Sequence, residues 1–324
     1  ARRSADMAPR LVVVLTENWT IMSARDLRAL VRMAVEAEDA GVDAVMLSDH
    51  LVLGASAGAE GRPANPREYA APGNQDPATP WPSSIVLLSA IAAATTRLRL
   101  LAVAVIAPLR HPLLLAKELA TLDLLSEGRL VVQPIVSWHE PEYAALGVPW
   151  RARGALLDEH LAAWEVLWRD TPASFEGSHY RFEDVYFEPK AYRPEGPVLW
   201  FGGSSLHDRL LRRLVTYGSG FHPLGQPSGE ELERLRAAMG EAGRDPASLE
   251  LVGGVRGTYP DGTSVAPLEP ALEQVPRQLE RGFTSICIKP SQFLDDRSAH
   301  AAWCRDVVAR VAALAEPSPS PFAP

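Results

Sequence analysis

The sequence predicts an α/β fold, a single (β/α)8 barrel over residues 1–324, on three observations. Apolar strand-like runs alternate with helical stretches along the chain. Strand, helix, tight turn and strand follow in the order of a βαβ unit, whose hydrophobic strands belong in a parallel sheet covered on its faces. Eight strands and eight helices are counted, roughly 40 residues per unit, the number at which a parallel sheet closes into a packed barrel.

Leu11–Leu15 reads as the first buried strand, and Ser23 with Asp26 as a capping box opening a helix. That helix buries Leu27, Leu30, Val31, Ala34 and Val35 at helical spacing and stops at Gly41, which takes the left-handed conformation of a helix end. Val42–Ser48 is the second strand. Helices follow at Ser83–Ala94, Pro112–Ser126 and Ala152–Arg169, with strands at Leu98–Ile106 and Leu130–Val136 between them. Pro112 suits a first helical position, His111 its N-cap, and Gly128 its end. Trp164 and Trp168 share a stripe with Leu157 and Leu161 and are read as core, with His160 on the helix face. The remaining strands are Val198–Phe201, Ser219–His222, Leu249–Val255 and Thr284–Ile288. Their helices lie near Leu206–Tyr217, Gly229–Ala242, Leu268–Arg281 and Ser298–Ala315.

Insertions break the alternation after the second and fourth strands. Residues 53–82 hold six of the 28 prolines and four of the 23 glycines with little apolar periodicity, and leave a strand end where barrels place their sites, so a lid is expected. Residues 175–197 carry His179-Tyr180-Arg181-Phe182 and Val185-Tyr186-Phe187, the alternation of a hairpin or extended arm. The Pro- and Ser-rich tail 316–324 is expected to fray.

Composition excludes several partners. With 32 basic and 40 acidic residues the net charge is -8, which gives a nucleic-acid backbone no general electrostatic footing. Cys287 and Cys304 are too few for a disulfide scaffold and lack zinc-site spacing, so a reducing, cytoplasmic setting is expected. The apolar run Leu100–Leu109 is half of a bilayer span, and Arg2-Arg3 is not followed by a signal-like apolar segment, so no membrane association is expected.

Barrel enzymes work at the carboxyl ends of their strands. Those ends offer Thr16, Glu17 and Asn18; Ser48, Asp49 and His50; Ala104 to Pro108; Ser137, Trp138, His139 and Glu140; Gly202, Gly203, Ser204 and Ser205; and His222, Arg256 and Lys289. In Asp49-His50 an imidazole beside a carboxylate suits proton transfer near neutral pH, with a turn cap as the plain structural alternative. Gly202-Gly203-Ser204-Ser205, between a strand and a helix, presents backbone N–H groups and hydroxyls to an anion, though an ordinary turn explains it equally. Trp138 stands where an aromatic could wall a ring-shaped ligand. A metallohydrolase needs imidazoles paired on one strand, and Leu15-Thr16-Glu17 offers none.

In addition, the chain resembles the luciferase-like flavin and deazaflavin oxidoreductases, specifically the branch using coenzyme F420. The blocks are Asp43-Ala44-Val45-Met46-Leu47-Ser48-Asp49-His50-Leu51, Thr96-Arg97-Leu98-Arg99-Leu100, Pro108-Leu109-Arg110-His111-Pro112 and Ala116-Lys117-Glu118-Leu119-Ala120-Thr121-Leu122-Asp123. Ser126-Glu127-Gly128-Arg129-Leu130, Glu142-Tyr143-Ala144-Ala145-Leu146-Gly147-Val148-Pro149, Leu157-Asp158-Glu159 and Trp200-Phe201-Gly202-Gly203 continue in the family's order. The resemblance implies a barrel, commonly a homodimer, with a flavin or deazaflavin ring over its mouth and the phosphate near the loop after the fifth strand. It places Asp49 and His50 at the cofactor, with His50 the catalytic proton donor or acceptor. Ala104-Val105 falls where a non-prolyl cis peptide often meets the ring, Ser137 and Trp138 at the fourth-strand contacts, and Gly202 to Ser205 at the phosphate. One departure is Gln133-Pro134-Ile135-Val136-Ser137-Trp138, where relatives alternate glycines; its bulk would narrow the cofactor bed. The implied function is F420-dependent hydride transfer to or from a small organic substrate. An FMN-dependent monooxygenase using reduced flavin and O2 is the second reading; a metal-dependent barrel hydrolase and a non-catalytic ligand-binding relative are the readings from other classes.

Overall fold

The computed structural model describes residues 8–315. Its strands are β1 (Arg10–Val14), β2 (Ala44–Leu47), β3 (Arg99–Ile106), β4 (Leu130–Ile135), β5 (Ala173–Glu176), β6 (Arg181–Val185), β7 (Val198–Phe201), β8 (Gly220–Phe221), β9 (Glu250–Gly254) and β10 (Ser285–Ile288). Its helices are α1 (Leu27–Ala40), α2 (Ser84–Ala94), α3 (Pro112–Leu125), α4 (Glu140–Ala145), α5 (Arg153–Arg169), α6 (Asp208–Tyr217), α7 (Gly229–Glu241), α8 (Leu268–Leu272), α9 (Gln274–Glu280) and α10 (His300–Ala315). Eight strands close a barrel in the order β1-β10-β9-β8-β7-β4-β3-β2, parallel at every junction. The expected (β/α)8 barrel is therefore the fold, while the tail 316–324 lies outside the described residues.

Strand period two divides the core into two shells. Val12, Val14, Met46, Leu101, Val103, Val131, Trp200 and Val252 fill the barrel interior, while Leu11, Val13, Val45, Leu100, Leu130 and Ile286 face outward into the helix layer. Trp164 and Trp168 are buried in that outer layer, as their stripe requires, and donate to Pro112 O and Ala116 O across α3. His160 is fully buried beside them, its ring nitrogens at Leu156 O and Arg110 O, so it ties α5 to the loop after β3 instead of lying on an open face.

Local chemistry departs from expectation in three places. Asp26, not Ser23, caps α1 by accepting from Ala29 N–H, because Ser23 sits too early and its hydroxyl accepts from Arg25 N–H instead. The helix expected over 268–281 breaks after Leu272, where Pro276 has no N–H to give Leu272 O. An unexpected helix, α4, follows β4, with Pro141 in its first turn and two acidic residues at its positive end.

At the amino end of the barrel the strand starts are tied by charge. Arg99 grips Glu250 with two bonds of 2.9 and 3.0 Å, and Arg10 and Ser285 complete the carboxylate's partners. Burial alone would raise the pKa of Glu250, but the Arg99 bonds and charge outweigh it and hold the group below its ordinary range. At the carboxyl end, segment 53–82 crosses the mouth. It folds on itself through Gln75 N–H to Ala57 O and Glu60 N–H to Gly73 O, and buried Asn65 donates to Asp261 O and Ser264 O beyond β9. Arg67 pairs with Asp295 at 2.8 Å beyond β10, which completes the strap. Strands β5 and β6 form an antiparallel hairpin on the outside, whose turn is held by the Glu159 carboxylate accepting from Ser178, His179 and Tyr180 N–H.

Candidate active site

Asp49 and His50 lie just past β2, both buried. They do not serve one another. The Asp49 carboxylate receives both Arg110 Nη atoms, at 2.7 and 3.0 Å, and Ile106 N–H at 3.2 Å. Its acceptor capacity is spent on fixing the end of β3 against β2, which corrects the expectation that it orients the imidazole. That task falls to Glu142 of α4. His50 Nδ1 stands 3.1 Å from Glu142 Oε2, while Glu142 Oε1 accepts from Leu51 N–H at 2.5 Å. Since a carboxylate only accepts, the His50 proton sits on Nδ1 and leaves Nε2 for chemistry. Trp81 from segment 53–82 stands edge-on to His50 at 4.8 Å between ring centres, and Trp138 at 6.0 Å, so the imidazole is walled by two indoles.

Between β3 and β4 the register slips at Ala104, an extra residue that follows a cis peptide bond between Val103 and Ala104. The bond precedes Ala104 instead of joining Ala104 to Val105. The carbonyl of Val103 accepts from Ser48 Oγ at 3.0 Å. Pro134 pairs opposite Val105 at this slip, where a missing N–H is tolerated. Gln133, one step earlier, is buried with its Oε1 3.1 Å from His222 Nδ1. Burial lowers the His222 pKa to about 4. The bulky run on β4 is thus used to pair with the neighbouring arc of strands. Ser137, in left-handed conformation, and Trp138 follow it, and Ser137 Oγ is buried without a hydrogen-bond partner among the described residues, as is Trp81 Nε1.

Gly202 follows β7. A Cβ there would stand 1.8 Å from His222 O, so close packing against the end of β8 demands glycine whatever the turn binds. Among the described residues the N–H groups of Gly203, Ser204 and Ser205 meet no protein acceptor, and both serines are exposed. The Leu206 N–H is taken by Glu231. All these residues share the carboxyl end of the barrel. His50 and Gly202 are separated by the three strand steps from β2 through β3 and β4 to β7, about 14 Å along the wall.

The opposite arc was on the strand-end inventory without an assigned role. Glu17 after β1 has a left-handed backbone, and burial raises its pKa against the lowering influence of Lys289 and His50. Lys289 after β10 is 1% exposed, and burial lowers its pKa. Tyr69 of segment 53–82 packs on the barrel-interior cluster, with Lys289 Nζ 5.4 Å and the Arg256 guanidinium 5.7 Å from its ring centre. Among the described residues no three His, Cys, Asp or Glu side chains gather as metal ligands, and no helix is long and apolar enough to cross a membrane.

Comparison with known proteins gives the following. A family model described as luciferase-like monooxygenase matches residues 9–271. An uncharacterised protein of Mycobacterium tuberculosis is 30% identical over 227 residues, 68% of this chain and 73% of that protein. An FMNH2-dependent dimethylsulfone monooxygenase of Pseudomonas putida is 34% identical over 136 residues, covering 41% of this chain and 37% of the relative. Among solved structures, an F420-dependent secondary alcohol dehydrogenase superposes with a TM-score of 0.68 at 16% identity, over 94% of this chain and 99% of the other. The monooxygenase RslO1 of Streptomyces bottropensis does so with a TM-score of 0.61 at 21% identity, over 94% and 82%. The two structural likenesses concern the fold.

Proposed function

Because this chain belongs to the luciferase-like monooxygenase family and is an oxidoreductase of that kind, we propose that it is a coenzyme F420-dependent enzyme moving a hydride to or from a small organic substrate. The single observation that carries the reading is the His50–Glu142 pair, a proton-carrying imidazole fixed by a buried carboxylate at the barrel mouth between two indoles. Such a group suits a reaction in which a substrate oxygen gains or loses a proton as a hydride moves.

The residues present fit a flavin-like group. Ser137 Oγ and Trp81 Nε1 are buried polar atoms lacking partners among the described residues, which a ligand with polar ring edges would satisfy. The N–H groups of Gly203, Ser204 and Ser205 suit a phosphate. Asp49 would take part through Arg110 and the end of β3, fixing the backbone of Ala104 and Val105 that would help to hold the group, with Trp138 beside it. When bound, the deazaflavin supplies the hydride chemistry. The protein binds it, excludes water with the 53–82 strap, and holds or takes a proton at His50 Nε2.

An FMN-dependent monooxygenase is the second reading, favoured by the FMNH2-dependent relative from Pseudomonas putida. Titration with F420 and with FMN, followed by tryptophan fluorescence, tests the choice, since Trp81 and Trp138 flank His50. Quenching by F420 is expected. Binding of FMN alone moves the assignment to the monooxygenase reading, and binding of neither overturns both.

A further inference from the structure

Lys289 poses a problem that its own surroundings do not solve. Its side chain is 1% exposed, and among the described residues its ammonium forms no hydrogen bond or salt bridge; what it faces is the Tyr69 ring, 5.4 Å from Nζ to the ring centre. Glu17, the acidic group that influences it, lies beyond ion-pair distance. Removing an ammonium from water is costly, and such groups persist when a partner satisfies them. The surroundings are those of a receiving site. Lys289 ends β10, Tyr69 of the strap lies over the barrel interior 5.4 Å away, and Arg256 approaches the same ring at 5.7 Å. Glu17 is influenced by the charges of both Lys289 and His50.

We propose that Lys289, Tyr69 and Arg256 receive the carboxylate of a small monoanionic organic substrate, placing the remainder of that molecule toward His50. Lys289 and Arg256 carry two positive charges and Glu17 one negative, a net of one that matches a monoanion, not the two or more of a phosphate ester. Glu17 offsets part of the positive charge of Lys289 and so weakens the pull of the site on an anion. The inference rests on the functional reading for its link to His50, but the binding site itself is read from Lys289.

The test is a thermal-shift series on the full chain at constant ionic strength, with and without F420 or FMN, using butyrate and benzoate against butyramide and benzamide. Carboxylates are expected to raise the melting temperature and the amides not to. Lys289→Met is expected to melt no lower than the parent, because an apolar chain of similar length relieves a buried charge, and to weaken carboxylate binding at least tenfold. Lys289→Arg is expected to retain part of the response, and Glu17→Gln to tighten carboxylate binding by roughly threefold or more. Equal shifts with acids and amides, an undiminished response in Lys289→Met, or destabilisation of both Lys289→Met and Glu17→Gln with no carboxylate response in the parent would overturn the site. Failure of F420 and FMN to bind while carboxylates do would remove the functional reading and leave this site standing; cofactor binding without any carboxylate response would do the reverse.

Discussion

Two carboxylates at the amino end of the barrel and a few polar groups at its carboxyl end meet opposite surroundings. At the amino end Glu250 is met by Arg10, Arg99 and Ser285, and Glu38 of α1 accepts the N–H groups of Thr96, Arg97 and Leu98, so each carboxylate is saturated. At the carboxyl end Ser137 Oγ and Trp81 Nε1 are buried without hydrogen-bond partners among the described residues, and the ammonium of buried Lys289 faces only the Tyr69 ring. Identical strand geometry serves both ends, so the contrast belongs to side-chain choice. A group that is paired contributes to holding the fold; a buried group left unpaired destabilises it until something binds.

Substitutions at the two ends should separate accordingly. The largest effect expected is on turnover. His50→Ala should lower it by about 10²- to 10⁴-fold with the melting temperature nearly unchanged, checked by rates per folded molecule. Unfolding of that variant with normal turnover in the folded fraction would make His50 structural. Glu142→Gln should give a smaller loss of turnover, since it positions the imidazole without touching the reacting atoms. At the opposite end, Glu250→Ala should cost about 3–5 kcal/mol in denaturant unfolding and leave cofactor affinity alone, because it strands Arg99 beneath Trp200. Gly202→Ala, at the junction of β7 and β8, should cost about 1–3 kcal/mol and weaken cofactor binding as well, because the new methyl displaces His222 O.

The smallest effect expected is the pH response of stability. His222 falls from an ordinary value of 6.5 to about 4 on burial, and burial also lowers His139, His160 and His300. Below pH 6.5 the unfolded chain therefore binds more protons than the folded one. Stability is full above that pH and declines as pH falls toward 4. His222→Gln should flatten part of that decline in thermal melts; an unchanged profile would contradict the burial argument.

The barrel was legible in the sequence because its signals are local. Gly41 turns left-handed where a helix end requires it, Pro112 opens α3, and His111 caps it through Leu113 N–H. Alternate strand residues sort into the two shells. The break at Pro276 was also written locally but hidden by the apolar stripe around it. The site was legible only as a set of strand ends. His50 and Glu142 are 92 residues apart, and Asp49 and Arg110 61, so no spacing rule joins them. Asp49 looked like the partner of His50 because it is its neighbour in the chain, yet adjacent residues past a strand end point to different sides. Pro141 with Glu140 and Glu142 was a helix-start signal that would have placed Glu142 after β4. Nothing periodic marks Tyr69, whose role depends on where the 53–82 strap crosses the mouth.

Hydrogen exchange of the cofactor-loaded protein tests the central claim, that one coenzyme spans the carboxyl end from the β7 turn to His50. Slowed exchange at Gly203, Ser204 and Ser205 together with Leu51 to Gly54 is the predicted result, with the amino-end amides of Thr96 to Leu98 unchanged. Protection at one of the two segments alone, or at neither, would contradict it.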